Sequence, residues 1–314
     1  MKTNLSIGIP TYNQGEYLQE TIDSILNQTI LPDQIVISNN HSDDILTDQI
    51  LKKYSRNKLF KIILPNKFLK MCSNWNFTAF NCDSKYFSLI SSDDTLEKNF
   101  VEEFVKHQNS KFKFYRLNFN TIDEEGKILS TQRLRSVPKI QNYPNNFLNQ
   151  FYGPKAAFTA FAVETKLFKE VGGYNEKYNY FADWEFLIKI SDKTDFVHIN
   201  KVVSNWRVSY RPGNDYKRLI GGGLDDQINT LQFIYEKLSN GKFKKFLFFL
   251  KIAVSIHMTE YIKMLKESDE FEKNKIMNFL LKTETRLIEN KLLLDISKVL
   301  LRSFELLLRF IKIH

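Results

Sequence analysis

Tyr86-Phe87-Ser88-Leu89-Ile90, followed at once by Ser91-Ser92-Asp93-Asp94, is a mostly apolar run that ends in two adjacent carboxylates. A short run of this kind bounded by polar residues reads as a buried strand. In an α/β sheet the carboxyl end of such a strand is where ligands bind, and paired carboxylates there suit a divalent cation on a phosphate-bearing substrate. By themselves the same residues also fit a solvated turn in which Asp94 caps a helix beginning near Leu96. The flanking sequence decides between the two.

Upstream, Leu5 to Ile9 reads as a strand, after which Tyr17, Leu18, Ile22, Ile25 and Leu26 recur at helical spacing. Asn13 with Glu16 forms a capping-box pattern, which leaves Pro10-Thr11-Tyr12-Asn13 as a loop at the strand's carboxyl end. Gln34 to Ser38 is a second strand and runs into the polar Asn39-Asn40-His41-Ser42-Asp43-Asp44. Phe60 to Leu64 is a third, and Trp75 to Phe80 a helix. This alternation predicts an α/β fold, a Rossmann-like, mostly parallel sheet with helices on both faces. Three polar strand ends on one edge then make a nucleotide crevice. A Gly-rich phosphate loop of dinucleotide or Walker type is missing, which argues against a classical dehydrogenase or P-loop enzyme.

Downstream, Phe112 to Asn118 continues the sheet, and Ile122 to Thr131 reads as a hairpin. Gln141 to Pro154, rich in Asn, Pro and aromatics, predicts a mobile loop whose Tyr143, Phe151 and Tyr152 suit either sugar stacking or core packing. Gly172-Gly173 stops a helix and precedes an aromatic turn. Leu187, Ile188 and Ile190 hold the next helix to the core and put Asp183 in its first turn, facing the positive end of the helix dipole, which favours the ionised carboxylate.

The chain has 45 Lys and Arg against 36 Asp and Glu, a net charge of +9. From Gly241 onward there are about 15 basic and about 9 acidic residues, so this tail supplies most of the excess. Gly221-Gly222-Gly223 reads as a hinge between a catalytic domain over 1–220 and a helical region over 221–314. Helices are expected at Gln227 to Leu238, Phe243 to Lys266, Glu272 to Ile288 and Leu292 to Ile313, none with an apolar run long enough to span a bilayer. In the last, Lys298, Arg302, Glu305, Arg309 and Lys312 share one narrow stripe on an otherwise apolar helix, which suits a bundle, a homo-oligomer contact or peripheral binding to a membrane. Met1-Lys2-Thr3-Asn4 leads directly into a strand with no secretory pattern, so a cytoplasmic protein is expected, with the inner face of the cell membrane as its place of peripheral contact. Cys72 and Cys82, without a ligand pattern around them, read as packed thiols.

Ser6-Ile7-Gly8-Ile9-Pro10-Thr11-Tyr12-Asn13, Ser24-Ile25-Leu26-Asn27-Gln28-Thr29, Ile35-Val36-Ile37-Ser38 with its polar loop, and Ser92-Asp93-Asp94-Thr95-Leu96 together resemble family-2 glycosyltransferases of GT-A fold, of the bacterial surface-polysaccharide (O-antigen) type. The resemblance covers about residues 4 to 215. It implies a nucleoside diphosphate sugar as donor, UDP-linked first and dTDP-linked next, and an inverting transfer to a glycan hydroxyl, with the acceptor carried on a lipid. By it Pro10, Thr11 and Tyr12 line the base pocket, Asn39 and Asp44 lie near base and ribose, Asn13, Ser92 and Asp93 belong to the donor site, and Asp94 steadies that loop or binds sugar hydroxyls. Asp93 becomes the ligand of Mg²⁺ or Mn²⁺, Asp183 the catalytic base, and Trp184, Glu185 and Tyr152 acceptor contacts. Arg207 and Arg211 become diphosphate partners, since a guanidinium engages phosphate oxygens in two places. The chain departs from the family's pattern at Asn39, where Asp is usual, at Ser91, where the metal motif has its first Asp, at Ala182, where the motif reads Glu-Asp, and at Ser209, which replaces a His.

The alternative is a non-catalytic GT-A-like binding protein with a basic tail. A nucleic-acid partner is not expected, because the basic residues gather in the tail and not in an aromatic-studded patch on the core.

Overall fold

The computed structural model describes residues 2–133, 138–150, 153–154, 156–208 and 223–239. The chain divides into two compact units, Met1–Asp226 and Gln227–His314. The residues of the site all belong to the first.

The strands of this unit are β1 (Leu5–Thr11), β2 (Gln34–Asn39), β3 (Phe60–Ile63), β4 (Tyr86–Leu89), β5 (Thr95–Leu96), β6 (Phe114–Ile122), β7 (Ile128–Gln132), β8 (Ile140–Gln141), β9 (Phe161–Glu164) and β10 (Phe196–Arg207). They form one sheet in the order β3-β2-β1-β4-β9-β6-β10-β5, with β7 on β6 and β8 on β10. β3, β2, β1 and β4 pair in parallel, as do β6 and β10, and β9 runs antiparallel to both β4 and β6. Thr11 pairs with Asn39, and the Ile90 N–H donates to the Gly8 carbonyl, so the carboxyl ends of β1, β2 and β4 open on one edge, as their sequence predicts.

Both faces of the sheet are buried, and alternate residues serve different cores. Leu5, Ile7, Ile9, Ile35, Ile37, Tyr86, Tyr115 and Val197 pack against α1 (Gly15–Leu26), α2 (Ile45–Tyr54) and α4 (Phe100–His107). Val36, Phe87, Leu89, Phe114 and Phe196 pack on the other face against α3 (Met71–Phe80), α6 (Thr165–Glu170) and α7 (Ala182–Ile190). Gly8 lets α3 lie close to β1: a Cβ there would stand 2.5 Å from Leu89 Cδ2 and 2.9 Å from Thr78 Cγ2. Cys72 and Cys82 are buried free thiols, and burial pushes both up to about 12.

Three local expectations change. Asn13 does not cap α1: it sits at φ 52°, its Oδ1 accepts from the Asp43 N–H at 2.9 Å, and its own N–H donates to Ser42 Oγ, so the two loops brace each other. The helix expected near Leu96 starts at Phe100, because Thr95–Leu96 pairs with β10 as an edge strand. Up to residue 150, the segment read as a mobile loop is built instead into β8 and α5 (Asn145–Leu148), and buried Asn146 donates to the carbonyls of Ser191 at 2.7 Å and Thr194 at 3.0 Å. Residues 224–239 form α8 (Leu224–Ser239), consistent with the helix expected from Gln227. The Gly221-Gly222 part of the hinge and the later tail helices lie outside the described residues. Among the described residues no helix is long and apolar enough to cross a membrane.

The Gly172-Gly173 stop is confirmed, with φ 77° and 67°. Asn76 on α3 reads this turn through both faces of its amide, accepting from the Tyr174 N–H at 2.8 Å and donating to the Tyr174 carbonyl at 2.9 Å. A Cβ on Gly173 would stand 2.5 Å from Asn76 Oδ1. Gly173→Ala is therefore expected to cost about 2–4 kcal/mol from left-handed backbone strain and overpacking together, read as a lowered urea midpoint with unchanged slope.

Candidate active site

The first wall comes from the ends of β1 and β2. Thr11 is buried, and its carbonyl accepts from the Asn40 N–H. Asn40 in turn grips the backbone of Leu69 in both directions, at 2.8 and 2.9 Å, fixing the segment after β3. On this frame Tyr12 stands 45% exposed and edge-on to Phe68, ring centroids 5.0 Å apart. Asn39 Oδ1 accepts from the Ser42 N–H at 3.0 Å. Asp44 is used differently from the expectation: its Oδ1 accepts from the Thr47 N–H and its Oδ2 from the Thr47 hydroxyl, so the carboxylate caps α2.

The second wall is the Ser91–Asp94 loop. Thr21 of α1 donates its hydroxyl to the carbonyls of Ser92 at 3.0 Å and Asp94 at 2.7 Å from below. Asp94 is fully buried; its Oδ1 accepts from the Arg207 N–H at 2.8 Å, and among the described residues its Oδ2 has no hydrogen-bond partner. Burial, then the neighbouring Asp93, pushes the Asp94 carboxyl well above the usual range, and burial also raises Asp93 against the pull of Arg207.

Arg207 is a clasp and not an open phosphate ligand. Its Nε donates to the Asp93 carbonyl at 2.7 Å, its Nη1 to the carbonyls of Asp123 and Glu124, and its Nη2 to Glu20 Oε2 at 2.6 Å, while Tyr17 lies under the guanidinium at 4.7 Å. Most of its donors are thus committed within the protein, which corrects the diphosphate role expected of it. Arg211 and Tyr152 lie outside the described residues.

The third wall is the start of α7. Asp183 is half-buried, with Oδ1 accepting from the Trp184 N–H at 2.8 Å. It lines a cavity of about 530 Å³ together with Ser91, Asp94, Asn118, Tyr180 and Trp206. The acceptor roles expected of Trp184 and Glu185 do not fit. Trp184 is buried and donates its Nε1–H to the Gln150 carbonyl at 2.6 Å. Glu185 is buried and lies 3.4 Å from Lys189, whose Nζ also donates to the Gly173 carbonyl. One helical turn presents its first carboxylate to the cavity and packs the next residues inward. The residues that sequence reasoning missed here are Trp206, 40% exposed at the end of β10, Asn118 and Tyr180. A large aromatic on the outward phase of a strand end was the available signal for Trp206.

Among the described residues no three His, Cys, Asp or Glu side chains cluster as a self-sufficient metal cage. The Asp93–Asp94 pair still fits a magnesium-like ion, which takes one or two carboxylates and completes its shell with substrate phosphates and water. Two adjacent acidic groups, both raised by burial, with one buried carboxylate oxygen that has no partner among the described residues, form a charge arrangement that a cation would relieve.

The family model for glycosyl transferase family 2 matches residues 6–172. The chain belongs to that family. It is 28% identical over 225 residues to a hyaluronan synthase of Pasteurella multocida, a match covering 68% of this chain and 21% of that protein. It is 29% identical over 249 residues to a chondroitin synthase of Escherichia coli, covering 77% and 34% respectively. The chain therefore spans about a fifth to a third of the length of these relatives. In fold it resembles residues 1–349 of S. aureus TarS, with a TM-score of 0.65 at 14% identity over 92% of this chain and 82% of that one. The same TarS fragment in complex with UDP-GlcNAc gives 0.65 at 14% identity, over 91% and 82%. The sheet order and two-faced core are thus the GT-A arrangement that the sequence resemblance implied.

Arg207→Ala is expected to lower stability by about 2–3 kcal/mol, because three part-buried carbonyl contacts and the buried Asp94–Arg207 neighbourhood lose the guanidinium, while Glu20 can turn to water. Arg207→Lys recovers little of this, since an ammonium cannot fork across the same partners. Urea unfolding of both variants checks it; unchanged midpoints would return Arg207 to the role of an open ligand.

Proposed function

We propose that this chain transfers one sugar, with inversion, from a nucleoside diphosphate sugar to a hydroxyl of a glycan acceptor. The observation that carries this reading is the convergence of Asp183 with Ser91 and Asp94, the two ends of the acidic loop, on one cavity of a size ordinary for small ligands. The family match and the UDP-GlcNAc complex of TarS support a nucleotide-sugar donor. UDP is the first choice of nucleotide and dTDP the second.

In this mechanism Asp183 takes the proton of the acceptor hydroxyl as that oxygen attacks the anomeric carbon. The bond from that carbon to the diphosphate oxygen breaks with its electron pair leaving on the diphosphate, so a single displacement inverts the centre and no protein nucleophile is involved. Tyr12 and Asn39 hold the base, and Asp93 is the residue that would hold Mg²⁺ or Mn²⁺. When bound, that ion supplies charge neutralisation for the departing diphosphate. Trp206 and Tyr180 offer aromatic faces to sugar rings on the acceptor side. A surface polysaccharide carried on a lipid is the acceptor we favour, since the basic, apolar tail suits a membrane surface.

UDP is expected to raise the melting temperature in proportion to the logarithm of its concentration, and more so with Mn²⁺. A panel of UDP, dTDP, GDP and CDP with and without metal measures this. A cooperatively melting protein that responds to none of them would favour the non-catalytic reading, to which the departures at Asn39, Ser91 and Ser209 already point.

Asp183→Asn is expected to lower kcat by about 10²–10⁴-fold, with melting temperature and UDP affinity close to those of the parent. Turnover left intact in the folded variant would remove Asp183 as the base.

A further inference from the structure

Asp226 stands in the first turn of α8 and is 1% exposed. A single carboxylate oxygen, Oδ2, accepts from three successive backbone N–H groups, those of Asn179 at 2.7 Å, Tyr180 at 2.6 Å and Phe181 at 3.1 Å. These three residues are the last before α7, and Phe181 is its N-cap. Phe181 itself brings no side-chain acceptor to the start of the helix. Asp226 thus supplies from a distant part of the chain the negative group that a helix amino terminus favours. Three charge-assisted hydrogen bonds to one oxygen are strong and geometrically demanding. They curl the turn around that oxygen.

The held turn carries two groups of the cavity wall. Tyr180 is one of the gripped residues, and Asp183 follows two positions after the last of them. Asp226 and Asp183 also both push the Cys72 thiol upward, after burial, so both carboxylates lie within electrostatic reach of that α3 thiol. Cys72 in turn donates its thiol to the Tyr178 carbonyl just before the turn, at 3.1 Å. The base at the start of α7 is therefore aimed by a backbone turn whose shape is set by one buried anion.

We infer that Asp226 is a positioning residue for the base, holding the 179–181 turn so that Asp183 meets the acceptor hydroxyl; this rests on the reading of Asp183 given above. Neither residue falls within the 6–172 stretch matched by the family model, so the inference comes from the contacts of this chain alone. Asp226 touches no reacting atom. Its effect is carried by geometry, where a displacement of about 1 Å costs on the order of 10²-fold in rate.

The test uses the full chain and four variants: Asp226→Ala, Asp226→Asn, Asp183→Asn and the double variant Asp183→Asn with Asp226→Ala. Asp226→Ala is expected to lower kcat by about 30- to 100-fold while the dissociation constant for UDP stays within about threefold. Asp226→Asn keeps an oxygen acceptor in place and is expected to lose only about 5- to 10-fold, a partial rescue that loss of general packing would not give. Because Asp226 acts through Asp183, the double variant should be no slower than Asp183→Asn. The inference is overturned by an Asp226→Ala enzyme of parental kcat, by UDP affinity falling in step with rate, or by a double variant slowed by the same factor as the single one. If Asp226→Ala does not fold, Asp226→Asn decides, and a parental kcat there sinks the idea. An Asp183→Asn enzyme that keeps its turnover also ends it, but marks the base assignment and not the turn as the fault.

Discussion

The arrangement of the site depends on a buried guanidinium. Arg207, at the end of the last strand, ties together groups that are far apart in the chain: Glu20 on α1, Asp93 and Asp94 on the acidic loop, and the carbonyls at the turn of the β6–β7 hairpin. Two adjacent carboxylates beneath a ligand edge repel each other, and burial raises the cost of their charge. A planar cation answers that by its charge at close range: the guanidinium bonds the Asp93 carbonyl and the Glu20 carboxylate, while the Arg207 main-chain N–H holds the Asp94 carboxylate. The loop is thereby held in shape by backbone contacts, and Arg207 reaches Asp93 through its main-chain carbonyl and not its carboxylate. Thr21 supports the same loop from the other side, its hydroxyl shared between the Ser92 and Asp94 carbonyls.

Much of the fold was legible because its strands obey simple rules. β1, β2 and β4 are fully or nearly buried runs, each ending in polar residues, and their parallel pairing follows from the helices between them. Asp183 was legible as the first carboxylate of an amphipathic helix. What failed to show was the direction of individual polar groups. Asp44 and Asn13 both sit in loops that looked open to a ligand, yet one caps α2 and the other bridges to the neighbouring loop. Trp184 and Glu185 look available by type and adjacency, but helical rotation turns them into the core. The 141–150 segment hides its order because polar side chains, Gln141, Asn146 and Gln150, do the packing that pattern reading assigns to apolar ones. Long-range pairings such as Arg207 with Glu20 leave no local periodicity at all.

The same contrast separates the two sides of the cavity. The side formed by the ends of β1, β2 and β4 is built from strand ends and short turns close to one another in sequence, all within the residues 6–172 matched by the family model. The side of the cavity facing α7 draws on Asn118, Tyr180, Asp183 and Trp206, which come from separate elements and meet only in the fold. Chains that share the first side can differ widely on the second. Low identity to TarS alongside a shared architecture fits that division.

β9 is the one strand that runs against its neighbours in the middle of this sheet. Because of that reversal the chain enters it at the cavity edge, next to the acidic loop, and leaves it at the opposite edge. The residues just before it, Ala156 to Thr159, consequently form part of the cavity wall, and the Phe161 carbonyl accepts from the Ser88 hydroxyl of β4. A parallel strand in the same place would have delivered its polar end to the cavity and fixed the wall by its register. With β9 turned round, the lead-in segment can lengthen, shorten or change its side chains while the ladder behind it keeps its alignment. The sheet therefore contains a place where one cavity wall can change during evolution without disturbing the strand ends of β1, β2 and β4.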